Sequence, residues 1–84
     1  MATRSLKVRF FASLTDHVGA NVLTLDIEPQ TTVSALWASL ADRHPGLADL
    51  SYKPMVACDL EYAEWNQLLD DVEEVAFLPP VSGG

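Results

Sequence analysis

The run from residue 31 to residue 46 restricts the fold of this 84-residue chain more than any other. Val33, Leu36, Trp37 and Leu40 fall at i, i+3, i+4 and i+7, which places one apolar stripe on an otherwise polar helix. Thr31 or Thr32 stands where an N-cap belongs, and Pro45-Gly46 stops the helix. A stripe of this kind needs an apolar surface to cover. The neighbouring segments supply one, because they alternate with the period of strands. In residues 5–11, Leu6, Val8 and Phe10 point one way and Lys7, Arg9 and Phe11 the other. In residues 22–27, Leu23, Leu25 and Ile27 point inward. One main helix therefore covers one face of a sheet.

The remaining elements give the sheet its topology. Residues 12–18 predict a short helix, with Leu14 and Val18 one turn apart and Gly19 as its stop. Residues 55–58 form a short apolar run, Asp59-Leu60 a turn, and residues 61–65 a short edge strand. Asp70-Asp71-Val72-Glu73 is an acidic turn. It leads into a last strand over 74–79, with Val75 and Phe77 on one face and Ala76 and Leu78 on the other. The first two strands are near neighbours in sequence and are expected antiparallel. The last follows a long connection and is expected parallel to the first, at the sheet centre. This is an α+β arrangement of β-grasp (ubiquitin-like) type, with a mixed sheet covered on one face. A β-grasp domain over 1–79 is followed by an extended tail over 80–84. By parity the open face carries Phe11 and Leu78, and exposed apolar surface of this kind marks partner sites.

Composition narrows the function. With a net charge of −7 the chain lacks the phosphate-neutralising surface of a nucleic-acid binder, and a basic partner surface suits it better. No run reaches the roughly 18 apolar residues of a membrane helix. Arg4, Lys7 and Arg9 do not introduce a signal peptide, since Phe10-Phe11-Ala12 gives way to Asp16 and His17. A single cysteine, Cys58, excludes an internal disulfide and fits a reducing cytoplasm.

The chain ends Phe77-Leu78-Pro79-Pro80-Val81-Ser82-Gly83-Gly84. The two prolines favour an extended path, and the paired glycines make a tip with almost no side chain. Such a tip fits a narrow channel and brings the α-carboxylate of Gly84 against another protein's backbone. The bland alternative is an inert, frayed tail.

Two blocks carry a resemblance. Lys7-Val8-Arg9-Phe10-Phe11-Ala12 with Val18-Gly19, and Glu74-Val75-Ala76-Phe77-Leu78-Pro79-Pro80-Val81-Ser82-Gly83-Gly84, resemble the small subunit of molybdopterin synthase, a ubiquitin-like sulfur-carrier family. The resemblance implies that an activating enzyme uses ATP to adenylate the Gly84 carboxylate, and that sulfur then converts it to a thiocarboxylate. It implies that the tail, Pro79 to Gly83, inserts into the large synthase subunit, where sulfur passes to a pyranopterin precursor and builds the dithiolene that binds molybdenum. Phe11, Tyr62 and Leu78 match positions that pack against that subunit. The chain binds no cofactor of its own in this reading and acts as a cosubstrate more than a catalyst. Asp59 stands where the family usually has Asn, Leu68 where Pro is common, Val72 where Gly is usual, and Leu78 where Phe is common. Val72 dislikes positive φ, so its turn must take another form.

Other candidates read as structure. Cys58 sits in an apolar run and reads as a buried inert thiol rather than a persulfide carrier. His17 and His44 have no ligand partners at metal spacing and read as surface or capping residues. Asp70, Asp71, Glu73 and Glu74 lack the pattern of a calcium loop. Trp37 and Trp65 read as core. Sulfur carriage for thiazole synthesis, conjugation as a ubiquitin-like protein modifier, and an inert-tailed binding module stand as rival functions.

Overall fold

The computed structural model describes residues 3–80. It contains β1 (Arg4–Phe10), α1 (Leu14–Val18), β2 (Val22–Ile27), α2 (Val33–Arg43), α3 (Pro45–Ala48), β3 (Met55–Cys58), β4 (Glu61–Tyr62) and β5 (Glu74–Leu78). The five strands make one sheet in the order β2-β1-β5-β3-β4. β1 runs antiparallel to β2 and parallel to β5, and β3 is antiparallel to both β5 and β4. The last strand thus fills the centre of the sheet, as the β-grasp reading requires.

Register explains the core. Val8 pairs with Leu23 on one side and Val75 on the other, and Val75 pairs with Cys58. Phe10, Phe77 and Val56 form the next row. Because side chains alternate across a strand, these rows share one face. α2 lays Val33, Leu36 and Leu40 on that face, and Leu14, Leu47 and Leu69 close the ends; all are buried. Leu23 and Leu25 are half-buried but pack against the same cluster. Trp37 and Trp65 also pack against it, edge to face at 5.7 Å, and each lies on Phe77.

The caps match their residue types. Thr32 is the α2 N-cap and accepts the Ala35 N–H at 3.2 Å. Thr31 instead donates its hydroxyl to the Glu28 carbonyl at 2.7 Å. Gly19 ends α1 in the left-handed region, at φ 83°.

Five boundaries differ from the sequence expectation, the first being β1, which runs Arg4–Phe10 rather than 5–11. α1 begins at Leu14 rather than Ala12, because Ala12 itself takes a positive φ of 54°. Pro45 ends α2 but also opens α3, the first helical turn being where a missing N–H is harmless. β4 spans only Glu61–Tyr62; Ala63 still donates its N–H to Val56 before the chain turns away. β5 ends at Leu78, since Pro79 has no N–H to give the ladder.

Candidate functional site: an apolar groove at the root of the tail

The open face of the sheet is built from the residues between the core rows. Arg9 pairs with Ala76, Ala76 with Ala57, and Ala57 with Tyr62. Leu78 pairs with Met55 one step further on. Small side chains at 57 and 76 leave a floor, and larger ones stand around it. The result is a groove of about 230 Å³ lined by Phe11, Ala57, Leu60, Tyr62, Ala76 and Leu78. All three residues expected at a partner surface, Phe11, Tyr62 and Leu78, meet in this one groove.

Each wall has a local cause. Phe11 follows β1 and donates its N–H to the Phe77 carbonyl at 3.2 Å, which ties it beside the end of β5. The turn at Ala12 then directs the chain into α1, with the Leu14 N–H returning to the Phe11 carbonyl. Tyr62 stands on the edge strand, 70% exposed, and Phe11 is 43% exposed. Leu78 is the last residue of β5 and directly precedes Pro79 and Pro80. Pro79 is half-buried and Pro80 exposed. The tail is therefore rooted beside the groove. Val81, Ser82, Gly83 and Gly84 lie outside the described residues.

Charge borders the groove. Arg9 is paired with Glu74 at 2.8 Å on the open face, so its guanidinium is already engaged. Asp59 accepts the N–H groups of Glu73 (3.1 Å) and Glu74 (3.0 Å), and its own N–H donates to the Glu74 carbonyl at 2.9 Å. The hairpin is thereby clamped to the start of β5. Asp70 accepts the Gln30 N–H at 2.8 Å. These carboxylates are occupied with backbone, which suits a turn.

The other singled-out residues sit elsewhere. Cys58 is buried on the core face, where desolvation and then the neighbouring Asp59 carboxylate push its thiol above the ordinary value. A raised thiol is a poor nucleophile. His44 closes α2, donating its N–H to Leu40, and His17 is exposed against Gly46. Val72 is buried and has no positive φ; its N–H reaches the Leu69 carbonyl at 3.1 Å, and Arg4 donates to the carbonyls of Leu69 and Val72. The acidic turn thus buries the β-branched side chain. Trp37 and Trp65 line a separate cleft of about 490 Å³ with Tyr52 and Lys53, whose ammonium lies 4.9 Å from the Trp65 ring centre.

From the sequence Leu60 reads only as a turn residue. Ala57 and Ala76, the floor, were equally silent. The one available signal for Leu60 is a leucine in a turn where a glycine or a polar residue is expected.

Comparison with known proteins decides the family. The ThiS family model matches residues 8–84. The chain belongs to the ThiS family. The human molybdopterin synthase sulfur carrier subunit is 32% identical over 82 residues, spanning 94% of this chain and 93% of that protein. Among solved structures, SAMP1 from Haloferax volcanii superposes with a TM-score of 0.79 at 27% identity, covering 96% of this chain and 100% of that one. A chain of the complex of subunits 1 and 2 of the molybdopterin-converting factor from Helicobacter pylori matches with a TM-score of 0.65 at 21% identity, covering 96% of this chain and 100% of that one, and supports the fold alone. As a ThiS-family chain with relatives of this kind, the protein combines a β-grasp body with a C-terminal sequence rooted at an apolar groove.

Proposed function

We propose that this chain is the sulfur carrier of molybdenum cofactor biosynthesis and that its reacting atoms are those of the Gly84 carboxylate. One observation carries the reading. Relatedness to molybdopterin synthase sulfur carrier subunits runs almost the full length of both chains, and the family match continues through Gly84.

A carboxylate is a poor electrophile because its leaving group would be oxide. An ATP-dependent activating enzyme supplies a better one. The Gly84 carboxylate oxygen attacks the α-phosphate of ATP, pyrophosphate leaves, and an acyl adenylate forms. Sulfide-level sulfur then attacks the acyl carbon, the C–O bond to AMP breaks, AMP leaves and a proton is lost to give the thiocarboxylate, whose sulfur is the stronger and more polarizable nucleophile. The groove docks the large synthase subunit, and Pro79 to Gly83 carry the thiocarboxylate into its active site. There sulfur passes to the pyranopterin precursor. Two such donations build the dithiolene. The body of this chain supplies docking and reach; the catalytic groups belong to the partners. The sequence of steps is cytoplasmic in this reading, and among the described residues no helix is long and apolar enough to cross a membrane.

The test is reconstitution with the activating enzyme, ATP, a sulfur source and the large subunit. Intact mass should show exchange of one oxygen for sulfur, and precursor should convert to molybdopterin. Deleting Gly84 should abolish both and leave the unfolding midpoint unchanged. Full conversion by the shortened chain would sink the carrier reading.

The likeness to SAMP1 at 27% identity favours one second reading, conjugation to other proteins through the same activated carboxylate. Higher-mass adducts formed with ATP and activating enzyme, in the absence of a sulfur donor, identify that activity. Conversion of precursor with the large subunit separates molybdopterin synthesis from sulfur supply to a thiazole.

A further inference from the structure

Leu60 is 88% exposed, the most exposed of the large hydrophobic residues among those described. It also has a φ of 71°, next to Asp59 at 49°. Cys58 pairs with Glu61, so Asp59-Leu60 is a two-residue hairpin loop with both residues left-handed. That loop type is the natural place for Asn-Gly or Asp-Gly. Aspartate tolerates the geometry; leucine is strained by it. Leu60 gains no burial in exchange. Neither turn chemistry nor core packing therefore accounts for a leucine here.

Its position does account for it. Leu60 extends the outer wall of the groove formed by Phe11, Tyr62 and Leu78. The turn is tied to the start of β5, because the Asp59 carboxylate accepts the Glu73 and Glu74 N–H groups. The opposite wall has the same construction: Phe11 is followed by Ala12, again a residue with a side chain at positive φ. Of the three non-glycine turns with positive φ among the described residues, two border this surface and the third is at Gln30; backbone strain of this kind clusters at ligand sites. Acidic residues flank the leucine, with Asp59 and Glu61 on either side and Glu73 across the clamp.

We propose that Leu60 is a specificity-determining anchor, presented by the strained hairpin to an apolar socket edged by lysine or arginine on the large synthase subunit. This rests on the docking role given to the groove above. An apolar tip surrounded by carboxylates rejects sockets with acidic edges and steers those with basic edges, so the leucine contributes affinity and the carboxylates contribute selection and association rate.

The experiment is calorimetric titration of the full chain with the large subunit, alongside urea unfolding. Leu60→Gly relieves the strain and removes the anchor; Leu60→Asn keeps a side chain that accepts the left-handed region. Both should unfold at or above the wild-type midpoint and bind about tenfold more weakly. Leu60→Met should bind within about twofold of wild type, since it keeps the apolar volume. Glu61→Lys should slow association and flatten its dependence on salt. Wild-type affinity for Leu60→Gly and Leu60→Asn, with Leu78→Arg impaired, would overturn the anchor and keep the groove. Wild-type affinity for all three would overturn both. A lowered unfolding midpoint for Leu60→Gly would overturn the strain on which the anchor is argued.

Discussion

Asp59 does two jobs with one carboxylate: it stabilises a left-handed turn and it fastens β4 to the start of β5. Its oxygens accept two successive backbone N–H groups, at 3.1 and 3.0 Å. Charged acceptors make stronger hydrogen bonds than neutral ones, worth about 1.5–3 kcal/mol when well shielded, and this residue is exposed. Asp59→Ala should therefore cost about 1 kcal/mol in urea unfolding. Asp59→Asn should cost less, since an amide oxygen still accepts and asparagine tolerates the left-handed region. A loss from Asp59→Asn as large as that from Asp59→Ala would show that the charge, not the acceptor geometry, holds the turn. At this scale the sequence was only partly readable. A departure from the family pattern at 59 and 72 was visible, but its resolution was not. Nothing local says that Val72 swings into the core or that Arg4, some 68 residues away, reaches back to its carbonyl. Such contacts depend on which strands end up adjacent, and local propensity carries no trace of that.

Elements were the most legible level, and the reason is periodicity. The α2 stripe and the alternation of β1 and β2 each repeat over several residues, so packing and pattern agree. Short elements repeat too little to be bounded this way. α3 is a four-residue turn hidden behind a proline that read only as a stop, and β4 is a two-residue strand. Parity along β1 and β5 also placed Phe11 and Leu78 on the open face, because a strand's side chains must alternate. It could not place Leu60, whose direction is set by a turn rather than a strand. Leu78 offers the cleanest test of the groove at the end of β5. An arginine there can lay its aliphatic stem along the groove and keep its charge in water, so the free protein should lose little stability. Against the large subunit that charge would be buried without a partner, at about 3 kcal/mol or more, which is a loss in affinity of over a hundredfold. Calorimetry on Leu78→Arg that returns the wild-type affinity removes the groove from the interface.

On the scale of the whole molecule, the proposed function assigns folding and chemistry to different parts. The core lies between the sheet and α2, the groove lies on the opposite face, and the chain leaves β5 through Pro79 and Pro80 toward Gly84. Changes in the tail should therefore move function without moving stability, and Gly83 is where this separation is sharpest. A tail that threads a narrow channel meets protein on every side. Glycine has no Cβ, which allows that approach and any unusual dihedral it demands. Gly83→Val adds a branched side chain with restricted χ1 and leaves the Gly84 carboxylate chemically unchanged. The unfolding midpoint should stay within experimental error of wild type. Adenylation should fall strongly when measured by pyrophosphate exchange with the activating enzyme, and precursor conversion should fall again in the synthase, because each partner must accommodate the same tip. An inert tail would give no change in either assay. Wild-type rates in both assays would refute the narrow channel even if Gly84 itself proved essential, whereas a fall in conversion alone would confine the channel to the large subunit.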